Sequence, residues 1–264
     1  MSGRAARALR GARPGRGLAG GRPGRALAGA RQARARLARP RLFPALFAAL
    51  AAAQVVYGRS GRTPAATRGI VGLMLATSLA EAHRPAPVVA AGAVGFGAEL
   101  VGVATGRPFG HYSYAEQLGP RVRGVPLLAA AAWAMMARPA WAVAGRIARH
   151  PVARVPLAAG ALTAWDVYLD PRMVREGYWS WPGGGRYEGV PASNFAGWFV
   201  TGLGVFAVFA ALDRDDEQDT GAVALYVWTW VGEAIANAFI WRRPRVALAG
   251  GLAMGAFALP ALRR

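Results

Sequence analysis

An all-α fold, a polytopic transmembrane bundle of about seven to eight helices, is what this sequence predicts. Three observations predict it. The hydrophobic fraction is 54% and the mean hydropathy is +0.24. Only 17% of the 264 residues are charged, too few to coat a soluble domain of that length. The apolar residues also fall into runs close to the ~20 needed to cross a bilayer core, with the charges gathered between them.

The first 41 residues stand apart. They hold 12 of the 32 basic residues, all of them Arg, and no acid. Rich in Gly, Ala and Pro and lacking an apolar stripe, residues 1–41 read as a disordered tail held near anionic lipid headgroups. A nucleic-acid-binding arm is the competing reading, but no aromatic or folded module accompanies the tail, so no nucleic-acid partner is expected. Residues 42–264 form the transmembrane helical domain of a multi-pass protein of the cell membrane.

Eight apolar runs follow, at 42–58, 69–83, 86–105, 125–145, 152–170, 194–212, 220–241 and 246–262. The second is short and ends in Glu81 and His83, which leaves seven full spans as the lower count. Pro85, Pro126, Pro151, Pro156 and Pro244 stand at or near span starts, where a missing N–H costs least. The acidic run 213–219 reads as a solvated loop without chemistry.

Absent residue types narrow the function. With no cysteine, disulfides, thiol catalysis and thiolate metal sites are excluded. Three histidines cannot build a histidine box, so no metal site and no cofactor is expected. The glycine run Gly183–Gly185 lacks the Lys and Ser/Thr of a phosphate loop and reads as a flexible lip.

Against that background the intramembrane acids stand out. In the third span Gly92, Gly95, Glu99, Gly102 and Gly106 recur at spacings of three and four, so they share one face. Small residues let helices approach closely, which turns Glu99 toward protein. An acid at that depth marks function by default. The loop after it carries Tyr112 and Tyr114 between glycines, where an interfacial belt is the plain alternative.

The fifth span ends in Trp165, Asp166, Tyr168 and Asp170, the two acids one turn apart. Pro171 is expected to push Asp170 out of the helix as a boundary residue, leaving Asp166 as the chemical candidate. Trp179 and Trp181 follow in the loop. The sixth span presents Asn194 and Trp198 on one face, and the seventh presents Glu233 and Asn237. In an alternating bundle, the ends of spans three, five and seven and the start of span six meet at one membrane face. Glu99, Asp166, Asn194, Glu233 and Asn237 converge there.

The segments TGRPFGHYSY…LGPRVRGVP, DVYLDP and WSWPGGGRYEGVPASNFAGW occur in that order. Across roughly residues 90–240 they resemble the membrane carotenoid-biosynthesis hydratases of bacterioruberin- and myxol-type pathways. The resemblance implies addition of water across a terminal isoprenoid double bond of an acyclic carotenoid end, giving a tertiary alcohol. Its implied partners are the lipid-soluble carotenoid, membrane lipids and other carotenoid-pathway enzymes.

The residue roles come from the physical reading. Glu99, the more deeply set carboxyl, is expected to protonate the alkene, and Asp166 to hold the water. Tyr112, Tyr114, Trp165, Trp179, Trp181, Asn194, Trp198, Glu233 and Asn237 are expected to line the substrate site, where aromatic faces can stabilise a carbocation. A small transporter or a non-catalytic pigment-binding membrane protein is the alternative, since intramembrane acids also serve proton-coupled transport.

Overall fold

A computed structural model describes residues 42–60, 62–80, 82, 84–212 and 219–263. The Arg-rich tail, Glu81, His83 and most of the acidic run therefore lie outside the described residues. Eight helices account for most of the rest: α1 (Leu42–Arg59), α2 (Pro64–Ala80), α3 (Ala86–Thr105), α4 (Leu127–Ile147), α5 (Pro151–Arg175), α6 (Ala192–Leu212), α7 (Thr220–Ile235) and α8 (Pro244–Leu262). A π-helical turn, Ala236–Ile240, extends α7.

Six of the eight are long and apolar enough to cross a membrane, against the seven to eight expected. The other two are α2, with 17 residues, and α5, which carries Arg154, Asp166, Asp170, Arg172 and Arg175.

The interior is built on α4, which packs against α2, α3, α5, α7 and α8. Its alanines Ala137, Ala140 and Ala144 are fully buried and let neighbouring backbones come close. The glycine face of α3 does the same against α4. A Cβ at Gly92 would lie 2.9 Å from the Ala130 carbonyl, and one at Gly95 only 2.1 Å from Cγ of Trp133. Gly97, turned away, meets nothing within 4 Å. Gly92, Gly95, Glu99 and Gly102 are all buried, as their spacing predicts. The left-handed Gly106 (φ 73°) ends α3, its N–H donating to Gly102 O.

Two short β-ribbons modify the all-α expectation. In the first, β2 (Arg121–Val122) and β3 (Val125–Pro126) pair antiparallel across the two-residue turn Arg123–Gly124. Both turn residues have positive φ, 48° and 87°, the arrangement that matches strand twist in a tight hairpin. In the second, β1 (Ser113–Tyr114) pairs with β4 (Trp179–Ser180), setting Tyr114 opposite Trp179. This ribbon fastens the loop after α3 to the loop after α5 and so assembles the site. Two-residue strands leave too little alternation to be read in sequence.

Asp170 is not pushed out of its helix. The helix continues through Pro171 to Arg175, and Asp170 is buried within it. Proline removes the N–H that would bond the carbonyl four residues earlier, that of Val167. The Tyr187 hydroxyl donates to that carbonyl instead, at 3.0 Å. A distant side chain thus replaces the missing backbone donor. Of the acidic run only Asp219 is described. Its last residue, Asp219, caps α7 by accepting from Ala222 N at 2.9 Å and pairs with the buried Arg138.

Candidate functional site

A cavity of about 270 Å³ lies among the helices, walled by apolar and aromatic side chains. Two carboxyls, Glu99 and Asp170, line one part of it, with Asp166 behind them. Glu99, from the glycine face of α3, is buried and accepts three hydrogen bonds. Trp133 Nε1 donates to Oε1 at 3.0 Å, Tyr114 Oη donates to Oε2 at 2.8 Å, and Tyr112 Oη donates to the same Oε2. Burial, reinforced by the neighbouring Glu99 carboxylate, pushes both phenols well above the ordinary tyrosine range, so both remain donors.

Asp166 and Asp170 form the second group, one turn apart on α5. A single amide joins them: Asn194 Nδ2 donates to Asp166 Oδ2 at 3.0 Å and also to Asp170 Oδ2. Asp170 Oδ1 accepts from Trp179 Nε1 at 3.1 Å, whereas Asp166 Oδ1 is buried without a hydrogen-bond partner among the described residues. Asp170, Glu99 and Asn194 line the cavity; Asp166 stands behind that wall.

Tryptophans complete the enclosure. Trp133 stacks on Trp198 with ring centroids 4.1 Å apart, and Trp165 meets Trp198 edge-on at 6.1 Å. Trp179 meets Tyr114 edge-on at 5.5 Å, and Trp181 lies against Tyr112 at 5.8 Å. Trp181 Nε1 donates to Phe109 O at 3.0 Å, which fixes its ring as part of the wall.

The structure therefore brings together Glu99, Asp166, Tyr112, Tyr114, Trp165, Trp179, Trp181, Asn194 and Trp198. Glu233 lines the same cavity but is engaged by Arg172 at 2.8 Å. Asn237 does not line it: its amide donates to Glu233 O at 2.9 Å, and it serves the π-helical turn. The polar face of α7 is otherwise spent on neighbouring helices, Tyr226 donating to Ala161 O and Trp230 to Gly251 O. Spans six and seven both reach this cavity as expected, although α6 packs on α5 and α3 while α7 packs on α8 and α4.

Three participants escape the sequence reading. Trp133 has a signal that could have found it, an indole in mid-span rather than at the interface where membrane tryptophans concentrate. The proline rule places Asp170 outside the helix and so hides it. Arg172 has no such signal, since a basic residue near a helix end is ordinary. Among the described residues no group of three or more His, Asp or Glu is arranged to hold a metal.

Fold and site together define a helical membrane protein with an acid-bearing aromatic cavity. The chain belongs to the carotenoid biosynthesis protein family, whose pattern it matches over residues 46–257. It is also similar to the bisanhydrobacterioruberin hydratase of Haloarcula japonica, with 32% identity over 112 residues. That stretch covers 40% of this chain and 38% of the archaeal protein, so the similarity spans well under half of either. No solved structure matches.

Proposed function

We propose that the protein adds water across the terminal trisubstituted double bond of an acyclic carotenoid, giving a tertiary alcohol. The observation that carries the reading is the meeting of Glu99 and Asp170, from two helices, on the wall of one tryptophan-lined apolar cavity, with Asp166 joined to Asp170 behind it through Asn194. Membership of the carotenoid biosynthesis family and the similarity to a hydratase support the same substrate class. Protonation of the less substituted alkene carbon leaves a tertiary carbocation. Water attacks it and gives one proton back to a carboxylate. One water is consumed and no electrons are exchanged, so the step requires no redox group.

Glu99 and Asp166 both stay in the proposed machinery, with proton flow opposite to the sequence expectation. Glu99 already accepts three donors on its two oxygens, the environment of a carboxylate rather than of an acid with a proton to give. It serves as the base that orients the attacking water and receives its proton. Asp166 and Asp170 share one amide donor, and two carboxyls crowded into one site hold a proton between them. Asp170, on the cavity side, hands that proton to the alkene, and Asp166 behind it completes the pair. The faces of Trp165, Trp179, Trp181 and Trp198 offer the cation a π-surface, worth about 2 kcal/mol when desolvated. The reading puts the protein in the cell membrane, working beside other enzymes of the carotenoid pathway.

Expression in cells that accumulate an acyclic carotenoid tests the function. The expected product gains the mass of one water for each modified end. Unchanged pigment that copurifies with the protein would instead make it a non-catalytic pigment binder.

A further inference from the structure

Most residues lining the cavity are buried or half-buried, and those that are exposed sit in one place. They are Val55 on α1 (44% exposed), Val231 and Ile235 on α7 (41% and 50%) and Ile240 in the π-helical turn (39%). All four are aliphatic and all four belong to segments long and apolar enough to span a membrane. Two hydrogen bonds hold α1 to α7 on either side of them: Trp228 Nε1 to Gln54 Oε1 at 2.6 Å, and Trp241 Nε1 to Gly58 O at 3.3 Å.

The spacing of those two bonds is unequal on the two helices. On α1 the interval from residue 54 to residue 58 is one turn, about 6 Å of rise. On α7 and its extension the interval from residue 228 to residue 241 is about 20 Å. One turn of α1 cannot cover three turns of α7, and the uncovered length is where the exposed aliphatic liners stand. The π-helical turn falls in that interval, an irregularity that in helices often accompanies a functional site. It carries Ile240 over Gly58, where an added Cβ would meet Ile240 Cδ1 at 3.6 Å.

We infer that the cavity opens sideways into lipid between α1 and the end of α7, and that a long isoprenoid chain lies in this opening while its end group occupies the cavity. The identity of the occupant rests on the proposed carotenoid substrate. The cavity volume argues for the same division. About 270 Å³ lies at the small end of small-molecule sites, suited to one end of a polyene and not to its whole length. A lateral opening lets the remainder stay among lipid tails, so a membrane-dissolved substrate never crosses water.

The chain has no cysteine, so a single introduced thiol can be modified selectively. Val55→Cys and Ile235→Cys are compared with Leu252→Cys on α8, a residue 68% exposed and outside the cavity wall. Each folded variant is reconstituted in phosphatidylcholine–phosphatidylglycerol vesicles containing an acyclic carotenoid. It is treated either with a bulky maleimide or with methyl methanethiosulfonate, which adds only a methylthio group. Pigment recovered with the repurified protein is read by absorbance, and hydrated pigment by mass spectrometry.

The bulky label at position 55 or 235 is expected to lower pigment uptake at least tenfold relative to the methylthio form, and to have no effect at position 252. Blocked uptake in a protein that never hydrates pigment supports the opening and rejects the hydratase reading. Equal uptake with both labels at positions 55 and 235 overturns the opening, as does failure of every form to take up pigment.

Discussion

Glu99, Asp166 and Asp170 meet different numbers of donors, and that difference separates their proposed roles. Glu99 receives two phenols and an indole; Asp166 and Asp170 divide one amide between them, with a second indole on Asp170. Asp170→Asn should leave a folded protein that still binds pigment but hydrates it at least ~100-fold more slowly, the lower end of what a positioned acid contributes. A conversion rate near wild type in that variant removes Asp170 from the machinery. Trp133→Phe keeps a ring against Trp198 but withdraws one donor from Glu99. We expect kcat to fall while KM changes little, because the lost bond acts on a group that handles the proton rather than on the hydrocarbon chain. A change confined to KM would make Trp133 simply part of the wall. Glu99 was legible from its glycine spacing, since the same face that lets α4 approach must carry the acid inward. Its donor Trp133 was not, because the contact joins residues 34 apart in sequence through helix packing.

Helix α5 carries its acids because something outside it repairs the break at Pro171. The repair is the Tyr187 hydroxyl on Val167 O, held in a loop where burial pushes that phenol up to about 12 and so keeps it a donor. Tyr187→Phe should cost about 1 kcal/mol, the usual worth of one hydrogen bond. Pro171→Ala restores a backbone N–H to the same carbonyl, so Tyr187→Phe should cost much less in that background. Thermal unfolding of the four proteins in detergent provides the cycle, and additive losses would show that the two residues are not coupled. The same repair explains why sequence reasoning lost Asp170: the proline rule holds for a helix alone, and the compensating donor lies in a different segment. Packing of α3 on α4 supplies a second test. Gly95→Ala should destabilise by about 1–3 kcal/mol, because its Cβ would overlap the Trp133 ring. Gly97→Ala, with open space at its Cβ, should be neutral or slightly stabilising. Similar unfolding temperatures for the two variants would contradict the close approach of α3 and α4.

The bundle as a whole was the most readable feature, because hydropathy and run length follow directly from the thickness of a bilayer. All eight helical segments fall where the apolar runs predict, with ends shifted by a few residues. The membership of the cavity wall was less readable. It depends on β1 and β4, which tie two loops together, and on α6 and α7 packing against different neighbours. Those are tertiary facts with no local signature. In the proposed function the apolar wall, the lateral opening and the polar end hold a hydrocarbon chain while water is added at its tip. The source of the added oxygen tests that account most directly. Purified protein in detergent, supplied with an acyclic carotenoid in oxygen-18 water under ordinary dioxygen, should yield a tertiary alcohol whose new oxygen carries the label. A product whose new oxygen comes from dioxygen would contradict hydration and make the protein a hydroxylase.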